Sequence, residues 1–302
     1  KTTTDISTDH MLQLMAGEES ISIDEKSSMT KPHAQINKTL LKVENLTRRT
    51  KNQSGGDSGF EQINFHLHAG EVLGIGGLIG SGRTELLRTI FGADQAHSGC
   101  IRLAADKFKM KRIMRSPTEA ISHGMGMLVE DRKSQGLLLS HSVTKNISFA
   151  KLNTLINGFG SVNNDIESEL AKSMKEKLSI QYNSSNQPIS FLSGGNQQKA
   201  LLARWLAIHF SILLLDEPSR GVDARAKSQI QSLIRELAAQ GKALIVVSSE
   251  TQELLKVSDR IAVMSNGRLA GIFNANDLTE EKLLEASFSF YSSEETRMES
   301  IQ

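Results

Sequence analysis

The chain has 302 residues, enough to bury a sizeable core in one large α/β domain or two small ones. Hydrophobic residues make up 38% and charged residues 23%, and a formal net charge of +1 gives no global field for nucleic acid or an anionic membrane. One cysteine, Cys100, excludes an internal disulfide and fits a reducing compartment; no apolar run approaches the roughly 18 residues of a membrane span, and KTTTDISTDH lacks a signal peptide's layout.

Residues 1–37 are polar, with a short helical pattern at 10–16 followed by a charged, Pro-containing stretch of linker character. Alternating apolar residues in LLKVENL (40–46) and FEQINFHLHAGE (60–71) predict two half-buried strands, read as antiparallel. VLGIGG (72–77) is a compact apolar strand, and TELLRTIFGA is the helix after it. From Asn146 to Asn186 the chain is polar and mostly helical, with turn clusters at NGFG and YNSSNQ. The last third alternates helix (QQKALLARWLAIH), strand (SILLLDE), helix (AKSQIQSLIRELAAQG), strand (KALIVVSS), helix (TQELLKVSD) and strand (RIAVMSNG). Such alternation predicts a parallel sheet covered by helices, with ligands at the carboxyl ends of its strands. Residues 289–302 read as a disordered tail.

Three strings carry chemistry. GLIGSGRT (77–84) lies between a strand and a helix, and its glycines let the backbone amides turn inward into an anion nest at the helix N-terminus. The candidate nucleotide-binding residues are Gly77, Leu78, Ile79, Gly80, Ser81, Gly82, Arg83 and Thr84, with the Thr84 hydroxyl placed for Mg²⁺. The phosphate-loop pattern has Lys where Arg83 stands, and read alone the string is also an ordinary tight turn. SILLLDEP (211–218) carries Asp216 and Glu217 out at a strand's carboxyl end, Asp216 to hold Mg²⁺ and Glu217 to polarise a water; its bland alternative is a buried strand capped by surface acids. LSGGNQQK (192–199) opens a helix with Ser193 and paired glycines, either a second anion nest or a plain Ser cap. The eight histidines show no spacing suited to a metal.

The order GLIGSGRT, LSGGNQQK, LLLDEP, SRGVD resembles the ATP-binding-cassette ATPases over about residues 40–278. VEDRK (129–133) and VVSSE (246–250) narrow it: the chain is similar to the C-terminal cassette of the two-cassette ATPases of ribose-, galactose- and xylose-type sugar importers. The resemblance implies a P-loop NTPase fold with a parallel core sheet, a small antiparallel β subdomain and a helical signature subdomain at about 143–204, inside a nucleotide-binding domain at 38–288. Residues 1–37 would then be the end of a preceding cassette and a linker. It also implies ATP and Mg²⁺ as cofactors, and Glu217, Ser249 and Glu130 at the catalytic centre, with Ser249 in the place of the switch His and Glu130 in that of a metal-sensing Gln. Leu192, Ser193, Gly194, Gly195 and Asn196 would form the signature that completes a partner's phosphate site, with Asp223 as the D-loop acid. The partners implied are the N-terminal cassette of the same polypeptide, integral membrane permease subunits reached through a groove from VEDRKSQGL onward, and indirectly a periplasmic sugar-binding protein, but no nucleic acid. The location implied is peripheral, on the cytoplasmic side of the inner membrane.

The departures from the family pattern predict a weakened site. Arginine keeps lysine's charge but not its compact shape, and Ser249 cannot make the switch-His contact. Losing two charge-assisted hydrogen bonds of roughly 1.5–3 kcal/mol each slows hydrolysis by roughly two to four powers of ten. Two other readings stay open, a soluble non-transport cassette ATPase and a regulatory cassette that does not hydrolyse.

Overall fold

β1 (Thr39–Arg48) pairs antiparallel with β2 (Phe60–His68) on one side and β4 (Ser98–Leu103) on the other, giving a three-stranded sheet. The computed structural model describes residues 38–49, 59–109, 113–156 and 162–291, all within the unit Ala34–Gln302. The helical pattern at 10–16, the linker and the tail beyond residue 291 lie outside the described residues. In β2 the side chains of Phe60, Ile63, Phe65 and Leu67 are buried and those between are more exposed, as the alternation predicts.

The second sheet has six strands in the order β5–β6–β7–β3–β8–β9. β5 (Met125–Leu128), β6 (Ile212–Asp216), β7 (Ala243–Val247), β3 (Val72–Gly77) and β8 (Arg260–Ser265) run parallel. β6 and β7 are buried along their whole length, which is why they read as continuous apolar runs. β9 (Arg268–Asn274) closes the edge antiparallel to β8, a strand absent from the sequence expectation, as are β4, β5 and α2 (Pro117–Ser122). The fold has the expected parallel core sheet and a separate small antiparallel sheet.

Around the sheets lie α1 (Arg83–Ile90), α3 (Val143–Ser148), α4 (Leu152–Leu155), α5 (Asn164–Leu178), α6 (Gly194–Leu206), α7 (Ala224–Ala239), α8 (Thr251–Val257) and α9 (Glu280–Phe288). Several begin on a side chain that accepts from the first-turn amides: Ser142 for α3, Asn163 for α5, Asp223 for α7 and Thr279 for α9. α6 packs its Trp205 edge-on against Phe91 at 6.0 Å, and Trp205 closes over Gly126 of β5, where an added Cβ would lie 2.9 Å from the indole. The carboxyl ends of β3, β6 and β7 open on the same side of the sheet, and the candidate residues collect there.

Candidate functional site

The loop between β3 and α1 turns on Gly77, whose φ of +141° and surroundings admit no side chain: a Cβ would stand 2.3 Å from the Met264 carbonyl oxygen. Gly82, also at positive φ, caps α1 without any side-chain bond, so the helix start presents bare amides. Ser81 is fully buried, and its Oγ has no hydrogen-bond partner among the described residues; Ile79 stands 89% exposed. An amide-lined turn at a helix N-terminus is an anion cradle.

Arg83 does not reach across that cradle. Its side chain is buried, and Nη1 donates to the Ser248 carbonyl at 2.9 Å, just past β7. Burial lowers its pKa, against the attraction of Glu217 and Asp216. Thr84 donates its hydroxyl to Asp216 Oδ1 at 3.3 Å, joining the ends of α1 and β6. Asp216 is 1% exposed, and its other oxygen, Oδ2, is buried with no partner among the described residues. Burial pushes its pKa up to about 6, opposed by the Thr84 bond and by Arg83. A buried carboxylate with a spare oxygen beside a hydroxyl is a hard-oxygen donor set that suits Mg²⁺. Among the described residues no cluster of three or more His, Cys, Asp or Glu is set to hold a metal, so further ligands have to come from water or phosphate oxygens.

Glu217 follows in the left-handed region, at φ 48°, its amide donating to the Val247 carbonyl at 2.9 Å. A non-glycine residue there carries backbone strain that surrounding contacts must hold. Burial raises its carboxyl, while Arg83 and a hydroxyl bond from Ser249 Oγ at 3.1 Å pull the other way. Within the expected weakened site, Glu217 thus has a direct partner in the Ser249 hydroxyl. Thr84, Asp216, Glu217, Ser249 and Arg83 form one cluster.

Glu130, beyond the carboxyl end of β5, the strand next to β6, forms an ion pair with Arg220. In LSGGN, Gly194 and Gly195 lie against the turn at 219–223. Leu192 is buried, Ser193 is exposed, and Gly194 and Gly195 begin α6. The plain capping alternative for Ser193 fails, because its side chain caps no amide: Ser193 Oγ accepts from Asn196 Nδ2 at 2.9 Å, and Asn196 Oδ1 accepts from the Gln181 amide. Asp223 caps α7 through the Ala226 amide at 2.9 Å, close by Gly195.

Sequence reasoning passed over the residues that hold this arrangement. Glu253 in α8, 2% exposed, accepts from Ser219 Oγ at 2.7 Å and Ser248 Oγ at 2.6 Å, tying the turn after Glu217 to the end of β7. Gln198 donates to the Pro218 carbonyl at 2.7 Å. Arg132, inside VEDRK, donates to the carbonyls of Arg220 and Gly221. The available signal was an acid on the buried face of α8 and a charged string with no assigned role.

A family profile described as ABC transporter matches residues 60–220. The ribose import ATP-binding protein RbsA of Clostridium tetani is 42% identical over 261 residues, 86% of this chain and 49% of that protein. A putative ribose/galactose/methyl galactoside import ATP-binding protein of Halalkalibacterium halodurans is 40% identical over 284 residues, 94% of this chain and 51% of that protein. The chain thus spans about half the length of the curated relatives it matches. Among solved structures, the dimeric bacterial ABC transporter cassette MJ0796 aligns with a TM-score of 0.65 at 20% identity, over 79% of this chain and 100% of that one. The protein cbiO1 from Clostridium perfringens, part of the ABC transporter complex cbiONQ, gives 0.63 at 24% identity, over 87% of this chain and 99% of that one. Profile, relatives and fold agree, and the chain belongs to the ABC transporter family.

Proposed function

We propose that this chain is the C-terminal ATP-binding cassette of a sugar importer, acting mainly by completing a partner cassette's site while its own site turns over slowly. The observation that carries nucleotide and metal binding is the Thr84–Asp216 pair beside the glycine loop, whose other carboxylate oxygen is buried with no partner among the described residues. ATP phosphates would rest on the amides of residues 77–84, and Thr84 and Asp216 would be the residues that hold Mg²⁺. Mg²⁺, when bound, neutralises charge on the β- and γ-phosphates. Glu217, oriented by Ser249, takes the proton of the attacking water. The weakness lies at Arg83, whose guanidinium is engaged by the Ser248 carbonyl and lacks lysine's compact reach toward phosphate.

Ser193, Gly194, Gly195 and Asn196 clamp the γ-phosphate held by the preceding cassette of the same polypeptide, with Asp223 alongside. Integral membrane permease subunits, and through them a periplasmic sugar-binding protein, complete the assembly at the cytoplasmic face of the inner membrane. Relatives named as ribose and galactose import ATP-binding proteins support the sugar substrate. No described helix is long and apolar enough to cross a membrane, which leaves the crossing to other subunits in this reading.

The test is steady-state Mg-ATP turnover of the purified chain beside its Glu217→Gln variant. Turnover at background in both, with ATP still bound, is the expected result. Turnover of about 1 s⁻¹ or faster, abolished by the variant, would show that the site around Arg83 is a fully working ATPase and end the weakened-site reading.

A further inference from the structure

Three loops meet at Arg132. The residue lies in the π-helical turn Arg132–Gly136 after β5, whose first amides are capped by Asp131. Its guanidinium donates from Nη1 to the Arg220 carbonyl at 2.9 Å and from Nη2 to the Gly221 carbonyl at 3.4 Å. Two residues earlier, Glu130 pairs with the Arg220 side chain, so alternate residues of one segment fasten both the backbone and the side chain of the turn. The third loop is the signature: a Cβ added to Gly194 would stand 2.7 Å from Arg132 Nη2 and 2.9 Å from the Gly221 carbonyl oxygen. Residue 194 thus has to be glycine for the guanidinium and the turn to close on the start of α6. Arg132 is not placed at the catalytic cluster, and nothing in the proposed chemistry uses it.

We infer that Arg132 is a positioning residue that clamps the segment after β5, the turn at 219–223 and the start of the signature helix into one rigid junction. A bidentate donor suits this task. Its planar fork spans two successive carbonyls, which a lysine ammonium on a flexible stem cannot do with the same rigidity. The turn it holds starts two residues after Glu217 and ends on Asp223, and the helix start it abuts carries Ser193 and Asn196. Displacement of the segment after β5 is therefore felt both behind Glu217 and at the signature. That consequence for hydrolysis rests on the cassette reading above; the clamp itself does not.

Amide hydrogen exchange of the whole chain tests the clamp without nucleotide. Informative amides are Arg220, bonded to the Glu217 carbonyl, Ala226, bonded to Asp223, and Gln197, bonded to the Ser193 carbonyl. In Arg132→Ala, exchange over 194–198 and 217–226 is expected to rise by about tenfold or more, with β6 and β7 unchanged, because two charge-assisted bonds to the turn are lost. Arg132→Lys, which keeps the charge and loses the fork, should fall between Ala and the parent. Unchanged exchange in both segments would overturn the proposal. So would a rise spread evenly through the core strands, the mark of general destabilisation, or a rise in the turn alone with the signature helix unaffected. Steady-state kinetics then separate the readings: if the parent hydrolyses ATP, kcat should fall in Arg132→Ala with KM held. If the parent does not, the cassette's own turnover is absent and the exchange result still decides the clamp.

Discussion

Asp216 is buried among apolar strands, one oxygen satisfied by Thr84 and the other by nothing among the described residues. Its folded pKa of about 6 lies above the ordinary 3.8, so the folded state holds the proton more tightly than the unfolded chain. The stability this contributes is fully present below about pH 3.8 and lost as pH rises through about 6. A shift of this size corresponds to about 3 kcal/mol at neutral pH as an order of magnitude. Asp216→Asn keeps the acceptor for Thr84 and removes the charge. In denaturant titrations without Mg²⁺, the variant should be more stable than the parent at pH 7–8 by about 2–3 kcal/mol, the gap closing toward pH 4. Equal stability at pH 8 would mean that the buried charge costs nothing, and the donor set would lose its reason for taking a cation. At this scale the sequence names the groups but not their directions. The spacing of GLIGSGRT puts Arg83 where Lys is usual, yet its hydrogen bond to the Ser248 carbonyl joins positions 165 apart and is a product of the sheet order.

The elements that position the site are held by polar side chains as much as by apolar packing. Arg204, near the end of α6, is buried and faces carbonyls: Nε donates to Asn146 O at 2.8 Å, Nη1 to Gly136 O at 2.6 Å and Nη2 to Asn146 Oδ1 at 3.1 Å. Its guanidinium also lies over the Phe149 ring, and burial pushes its pKa down to about 10. Asn146 passes the link on, accepting from the Leu138 amide and donating to the Leu138 and Ser142 carbonyls. One side chain thus fixes α6 to α3 and to the π-helical turn. Arg204→Met keeps the apolar bulk but strips buried carbonyls of their donors, and should cost about 2–4 kcal/mol in a urea titration. Arg204→Lys should lose about half as much. A loss below about 0.5 kcal/mol in the Met variant would show that water replaces the arginine.

The same elements show what the sequence could reveal. β3, β6 and β7 were legible because burial on both faces demands unbroken apolar runs. β5 was not, because four residues (MGML) are too few for any period to appear. β9 escaped because it is a partly exposed edge strand whose burial does not alternate. In the site, the motif residues were legible from local spacing, whereas Glu253 and Arg132 gain their roles only when separate loops are brought together.

Taken whole, the chain presents its two nest-like loops to solvent. In the glycine loop Ile79 is 89% exposed; beside the signature Phe191 is 77% exposed, and Ser193 itself is open. Because Ser193 is exposed and caps no amide, Ser193→Arg costs the fold little, and under the proposed function its guanidinium would block the γ-phosphate of a partner site. Under the proposed function, a protein that joins this chain to a second cassette should lose sugar uptake in the variant. The isolated chain should keep its melting temperature and its affinity for ATP at residues 77–84. Normal uptake by that variant would separate the signature loop from the partner's site and return this cassette to acting through its own glycine loop alone.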